Sequence, residues 1–245
     1  MSKIFAYPLT ILYYTFFGLF LLLFHPIQWI CLKTFGYAAH KKSVDYLNFF
    51  LVRTAHILGT RYSFKNRHLI PENVPLIIVS NHQSMYDIPA LIWFLRKHHV
   101  KFVSKQELGK GIPSVSFNLR HGGSVLIDRK DADQALKAIE NLGKYIENNK
   151  RSAVIFPEGT RSRTGQPKRF SENGLRTLCE FAPSAYIVPV SINNSWRLDG
   201  HGAFPLGLGV HLKFEVHQPI AVSKASFEAI FKETEKAILL GIEKN

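Results

Sequence analysis

Cysteine is nearly absent from this sequence, with Cys31 and Cys179 the only two in 245 residues. They lie far apart in apolar surroundings, which argues against a disulfide-framed secreted domain and for two unpaired thiols in a reducing compartment. Acidic residues are scarce as well, 18 against 31 Lys and Arg, so the chain carries a net charge of +13 and a pI near 9.8. Such an excess calls for an anionic partner: nucleic acid, membrane headgroups or a phosphorylated substrate. Several chemical signatures are missing. There is no Walker loop and no dinucleotide fingerprint, and the 11 histidines include no H-E-x-x-H or two-His-plus-carboxylate spacing. No resident cofactor or metal is therefore expected. The basic stretch has no helix-turn-helix or aromatic nucleic-acid motif, so nucleic acid is not the expected partner. No G-x-S-x-G elbow occurs, which leaves the chain without an evident nucleophile of its own.

The last absence is charge near the N-terminus. Between Lys3 and Lys33 there is no Asp, Glu, Lys or Arg, and the segment is dense in Phe, Tyr and Leu. A cleaved signal peptide would carry a basic start and a small-residue cleavage site, and His25-Pro26-Ile27 is not such a site. Pro26 is expected to break the run into two helices, 4–24 and 27–35, of which only the first is long enough to span a bilayer. Two arrangements fit: one transmembrane span, or a pair of apolar helices sunk in one leaflet. Lys33, Lys41, Lys42 and Arg53 follow the run, with Lys3 alone before it, a bias that places the bulk of the chain on the cytoplasmic side.

What is present beyond residue 40 alternates between two periods. Segments 43–60, closed by Gly59, 87–98, 131–150, 173–182 and a stretch from about Ser226 read as helices. Segments 75–80, 101–105, 123–128, 152–156, 186–192 and 210–220 read as strands. The alternation predicts an α/β fold, with a mixed, largely parallel sheet covered by helices. Polar groups recur just after the strands: His82 after "LIIVS", Asp128-Arg129 after "SVLI", and Pro157-Glu158-Gly159 after "AVIF". In open α/β sheets, ligands bind outside the carboxyl ends of the strands.

The stretch "NHQSMYD" places His82 and Asp87 five positions apart. On one continuous helix they would stand roughly 140° apart around the axis. With His82 on the strand-to-helix turn and Asp87 in the first helical turn they can converge. Taken singly, Asp87 reads as a helix cap and His82 as a satisfied turn histidine. Together they suit a base and the carboxylate that fixes its tautomer. A base without a protein nucleophile suggests that a substrate hydroxyl attacks directly. The second stretch, "FPEGTRSR", turns on Pro157 and Gly159 and can present backbone N–H groups to an anion, with Arg161 as a bidentate phosphate ligand. Arg163, Lys168 and Arg169 read as a solvated face, able also to touch anionic lipid. Lys105 and Arg129 are further cations at strand ends, and each can equally be half of an ion pair.

In this order, "NHQSMYD", "GSVLIDR", "FPEGTRS" and "IVPVSI" resemble the four blocks of the glycerolipid acyltransferases, in particular the bacterial 1-acyl-sn-glycerol-3-phosphate acyltransferases. Leu126 departs from the aromatic residue usual in the second block, a difference that bears on packing. The resemblance implies His82 as general base and Asp87 as its partner. It places Glu158, Gly159, Thr160 and Arg161 in the glycerophosphate site, joined by Arg129 and by Lys105. It implies no metal or cofactor beyond the acyl donor, a thioester of acyl carrier protein or coenzyme A. The acceptor would be lysophosphatidate in the membrane. Residues 1–40 would form an anchoring helix pair on the cytoplasmic face of the inner membrane, and residues 41–245 the acyltransferase domain. Siblings acting on glycerol 3-phosphate, another lysophospholipid or a lyso-ornithine lipid share the pattern, as would a non-catalytic lipid-binding protein that kept the fold.

Overall fold

The uncharged N-terminal run folds as helix throughout. In the computed structural model, which describes residues 3–200 and 202–243, α1 (Lys3–Thr54) continues through Pro26. The expected break is instead at Gly36, whose φ of 77° and ψ of −168° are non-helical. Proline removes one i→i−4 hydrogen bond, a loss that apolar helices tolerate when a neighbour supplies compensating bonds. The carbonyl that loses its donor at Pro26 is that of Leu22. Beside it the Ser114 hydroxyl donates to the Leu21 carbonyl at 2.6 Å and His25 Nδ1 accepts from the Ser114 N–H at 3.0 Å, so the α/β body holds the helix on both sides of the proline. Glycine alone adopts the backbone at position 36 without strain, so the helix pair consists of residues 3–35 and 37–54. The second helix absorbs the expected 43–60 segment and ends in a single 3₁₀ turn (Ala55–Leu58), capped as expected by Gly59 at φ 71°.

The remaining elements alternate. In chain order they are β1 (Arg61–Lys65), β2 (Leu76–Ser80), α2 (Asp87–Phe94), β3 (Val100–Lys105), α3 (Val115–His121), β4 (Val125–Ile127) and α4 (Ala132–Asn149). After them come β5 (Ser152–Ile155), α5 (Asn173–Phe181), β6 (Tyr186–Asn193), α6 (Trp196–Asp199), β7 (His211–Val216), β8 (Ile220–Ala221) and α7 (Phe227–Leu240). Three expectations need correcting. The helix from Asp87 stops at Phe94 and gives way to a 3₁₀ turn over 96–98. The strand expected over 210–220 divides into β7 and β8, because Pro219 has no N–H for a ladder. Strand β1 and helices α3 and α6 have no counterpart among the segments expected from the sequence.

The sheet has the order β1-β7-β6-β2-β5-β3-β4, with β8 beside β6. Strands β6, β2, β5, β3 and β4 are mutually parallel, whereas β7 runs antiparallel to β6. A mixed, largely parallel sheet is thus what forms. Central β2 is buried at every position, and its side chains alternate between two cores. Leu76 and Ile78 join Tyr86, Leu91 and Tyr13 on the side of α1 and α2. Ile77 and Val79 join Ile139 and Leu142 of α4, Leu178 of α5 and Ile238 of α7 on the other. Each fully buried aliphatic side chain contributes about 1.5–3 kcal/mol, so the strand that delivers His82 is among the most firmly held segments.

Candidate active site

The turn after β2 is built before any substrate arrives. Asn81 closes it against β6: its Nδ2 donates to the Ile192 carbonyl at 2.8 Å and its Oδ1 accepts from the Ile192 N–H at 2.7 Å. Asp87 opens α2 and is 0% exposed. Its Oδ2 accepts from His82 Nδ1 at 2.9 Å and from the backbone N–H groups of Gln83 and Ser84 at 2.9 and 3.0 Å. Among the described residues, Oδ1 is buried without a partner. The carboxylate thus defines the turn and the imidazole together, and sits at the helix end that favours negative charge. The His82 ring also stacks on Phe156, with centroids 4.1 Å apart and planes 16° from parallel. Accepting at Asp87 fixes the proton on Nδ1, which leaves Nε2 with a free lone pair.

The turn after β5 is joined to the first through Glu158. One carboxylate oxygen accepts from the His82 N–H at 2.8 Å, the other from the Lys168 N–H at 2.7 Å. Ser162 N–H returns to the His82 carbonyl at 2.8 Å. Burial raises the Glu158 carboxyl above its ordinary range, and the two N–H donors partly offset this. With both oxygens engaged, Glu158 is a strap between the turns rather than an open ligand. Gly159 adopts φ 67° and turns its N–H to the Phe156 carbonyl, so that donor is not offered to an anion. Thr160 Oγ1 accepts from Lys168 Nζ at 2.8 Å.

Arg161 is different. Its side chain is 40% exposed, and among the described residues its one ion pair is a long contact of 3.5 Å to Asp199. It does not pair with Glu158, whose two oxygens are taken by backbone N–H groups. Arg161 lines a pocket of about 250 Å³ together with Tyr14, Gln83, Tyr86, Arg163 and Asp199. The carboxyl of Asp199 is raised by burial, against the lowering effect of the Ser84 hydroxyl and Arg161. Sequence reasoning found neither Tyr14 nor Asp199. The first stood in an apolar run, the second in a glycine-rich connection, and the only local cue was the turn dipeptide Asp199-Gly200.

Lys105 ends β3 and Arg129 follows β4, at the same carboxyl edge of the sheet but two and three strands from β2. At about 4.8 Å per strand, Arg129 is displaced by roughly 14 Å from the His82 strand, and neither cation lines the Arg161 pocket. Burial lowers the Arg129 guanidinium, against the raising effect of Glu107. Among the described residues no group of three His, Cys, Asp or Glu side chains is placed to hold a metal ion.

A buried His-carboxylate pair at the carboxyl edge of a parallel sheet, beside a pocket edged with arginine, is a site for proton transfer next to an anion. The family model described as Acyltransferase matches residues 61–193, and the chain belongs to that family. Among curated relatives, 1-acyl-sn-glycerol-3-phosphate acyltransferase alpha of Ovis aries is 24% identical over 153 residues, 62% of this chain and 52% of that protein. The Helicobacter pylori 1-acyl-sn-glycerol-3-phosphate acyltransferase is 32% identical over 135 residues, 52% of this chain and 54% of that protein. The enzyme of that name from Pseudomonas aeruginosa is 28% identical over 198 residues, 78% and 75% of the two chains. The chain spans about half the length of the first two of these relatives. In fold it is similar to the crystal structure of the 1-acyl-sn-glycerophosphate acyltransferase PlsC from Thermotoga maritima, with a TM-score of 0.79 and 24% identity. That similarity covers 99% of this chain and 96% of the other.

Proposed function

We propose that this protein is a membrane-bound acyltransferase that moves a fatty acyl group from a thioester to the 2-hydroxyl of 1-acyl-sn-glycerol 3-phosphate, giving phosphatidate. The observation that carries the reading is the 2.9 Å bond between His82 Nδ1 and the buried Asp87 carboxylate. It leaves Nε2 to take the proton of the acceptor hydroxyl as the oxygen attacks the thioester carbonyl. The C–O bond forms, the tetrahedral intermediate collapses with loss of the C–S bond, and the imidazolium returns its proton to the departing thiolate. Asp87 stabilises the imidazolium and holds its tautomer. A thioester is already activated, so the step needs no metal. Arg161, with Arg163 beside it, supplies the guanidinium for the acceptor phosphate. The donor is acyl carrier protein or coenzyme A charged with the fatty acid. The names of the curated relatives support lysophosphatidate as the acceptor.

The membrane reading rests on α1. Its residues 3–35 expose Ile4, Ile11, Leu12, Leu19, Leu22, Leu23 and Ile30, a stripe at helical spacing, while the opposite side packs on the α/β body. Thr10 bonds the Leu206 N–H, Tyr14 the Ala203 carbonyl, and Leu21 and His25 meet Ser114. These contacts cover about 22 Å of helix, most of the roughly 30 Å that a spanning helix would need for lipid on all sides. This favours a helix lying in one leaflet, with the body and the N-terminus on the cytoplasmic side. The test is an assay of purified protein that crosses lysophosphatidate, glycerol 3-phosphate and lysophosphatidylcholine with both donor types. Phosphatidate formed by wild type and not by His82→Ala supports the reading. Transfer to another acceptor in preference, or full activity of His82→Ala, overturns it.

A further inference from the structure

At the amino edge of the sheet, opposite the site above, the second half of α1 closes over the start of β3. Between them lies a cavity of about 20 Å³. That is room for one species about the size of a water molecule. Three cations line it, Lys41, Arg96 and Lys101, against a single carboxylate, Asp45. Asp45 is already committed to Lys41 at 2.5 Å. Lys41 also donates to the Arg96 carbonyl, and Arg96 lies over the Trp93 ring at 4.0 Å.

Lys101 is left over. It is 5% exposed, has no carboxylate partner among the described residues, and sits 5.1 Å from the centroid of the Tyr37 ring. Arg151 faces the same ring at 4.2 Å, adding a further positive charge nearby. Two more donors in the cavity wall are unused among the described residues: His40 is 1% exposed with both ring nitrogens unpartnered, and the buried Tyr37 hydroxyl is also unpartnered. A buried ammonium without a counter-charge either gives up its proton or acquires an anion. In the protein alone, burial and the nearby cations push Lys101 down to about 7 and His40 down to about 4. Surplus positive charge, idle N–H and O–H donors and a cavity of ionic size therefore coincide at a single place.

We propose that this cavity binds one chloride-sized monovalent anion, held by Lys101 Nζ and an N–H of His40, which fastens the second half of α1 to the amino edge of the sheet. The volume argues for a monatomic ion over phosphate or sulfate, whose four oxygens need several times that space. Bound there, the ion would keep Lys101 protonated and supply the partner that His40 lacks.

The experiment is a melting series on the full chain in detergent at fixed ionic strength and pH, with sodium gluconate replaced stepwise by chloride, bromide or sulfate. Chloride and bromide should raise the melting temperature saturably, by roughly 5–10 °C at a hundredfold excess over Kd, and sulfate should not. Lys101→Met should abolish the increment without melting lower than wild type in gluconate, because it removes an unpaired buried charge. A crystal grown in bromide should show an anomalous peak beside Lys101. Equal melting in all the salts, an increment that survives Lys101→Met, or a bromide crystal with no peak there would each overturn the proposal. Should Lys101→Met fail to fold, wild-type anion selectivity and the bromide peak decide alone.

Discussion

The two turns at the carboxyl edge of the sheet are built in opposite ways. The turn after β2 is closed: Asp87 is fully buried, Asn81 is tied to β6, and the imidazole is held from below by Phe156 and from the side by the carboxylate. The turn after β5 is open at its tip, where Arg161 is half in solvent and its pair with Asp199 is long and easily exchanged. Chemistry that depends on one proton moving between fixed atoms calls for the first design. Capture of a charged headgroup calls for the second, since a guanidinium locked into a strong internal pair would have to be released before it could bind. Glu158 links the two turns through the His82 N–H, and the Ser162 N–H returns to the His82 carbonyl, so that the open turn is set relative to the closed one by two hydrogen bonds at His82.

Substitutions can separate these roles. In the closed turn, His82→Ala should lower kcat by about 10² to 10⁴ with little change in melting temperature, and Asp87→Asn nearly as much, because an amide disturbs the tautomer. The double variant should lose little more than either single one, the mark of two residues acting as a unit. In the open turn, Arg161→Lys should reduce kcat/KM for lysophosphatidate by roughly tenfold to a hundredfold, while slow transfer to monoacylglycerol, which has no phosphate, stays near wild type. Equal losses on both acceptors would make Arg161 a structural residue and erase the contrast between the turns.

The strap should behave unlike either. Glu158→Gln exchanges one accepting oxygen for an amino group facing a backbone N–H, so activity on both acceptors should fall together, by about tenfold or less, and the melting temperature with it. There is also a pH signature. Because burial raises the Glu158 carboxyl in the folded protein, the native state holds that proton more tightly than the unfolded chain. The group therefore favours folding at low pH, and that contribution is lost as pH rises from the ordinary value of 4.5 through the raised one. Melting temperature measured across this window should decline less steeply in Glu158→Gln than in wild type. The smallest effect on chemistry belongs to α1: Leu19→Glu with Leu22→Glu should release protein from vesicles in a flotation assay and leave turnover of a soluble short-chain acceptor within about twofold.

Which of these features could be read from the sequence follows from the range of the interactions. The His82–Asp87 pairing is local, decided within five positions by a strand end and a helix start, and it was legible. Central strands β2 and β5 were legible too, because both faces are covered and "LIIV" and "AVI" run apolar without interruption. Strand β1 was not: "RYSFK" is a half-exposed edge strand whose partner, β7, lies some 150 positions later. The continuity of the helix through Pro26 is illegible for a similar reason, as the bonds from Ser114 to Leu21 and His25 beside it span 93 and 89 residues. Asp199 and Tyr14 reach the Arg161 pocket through tertiary packing, and beyond the turn dipeptide Asp199-Gly200 nothing in their neighbourhoods announces it.

Tyr14 carries a consequence of its own. It stands in the wall of the Arg161 pocket and belongs to the same helix whose far side presents the apolar stripe. On the proposed function, with that stripe seated in lipid, the mouth of the pocket would lie at the level of the headgroups, and the acceptor would arrive by lateral diffusion without leaving the bilayer. The quantity such an enzyme senses is then a surface density. Diluting lysophosphatidate with inert phospholipid at constant bulk concentration should slow the reaction, whereas adding more vesicles of unchanged composition at saturating lipid should not.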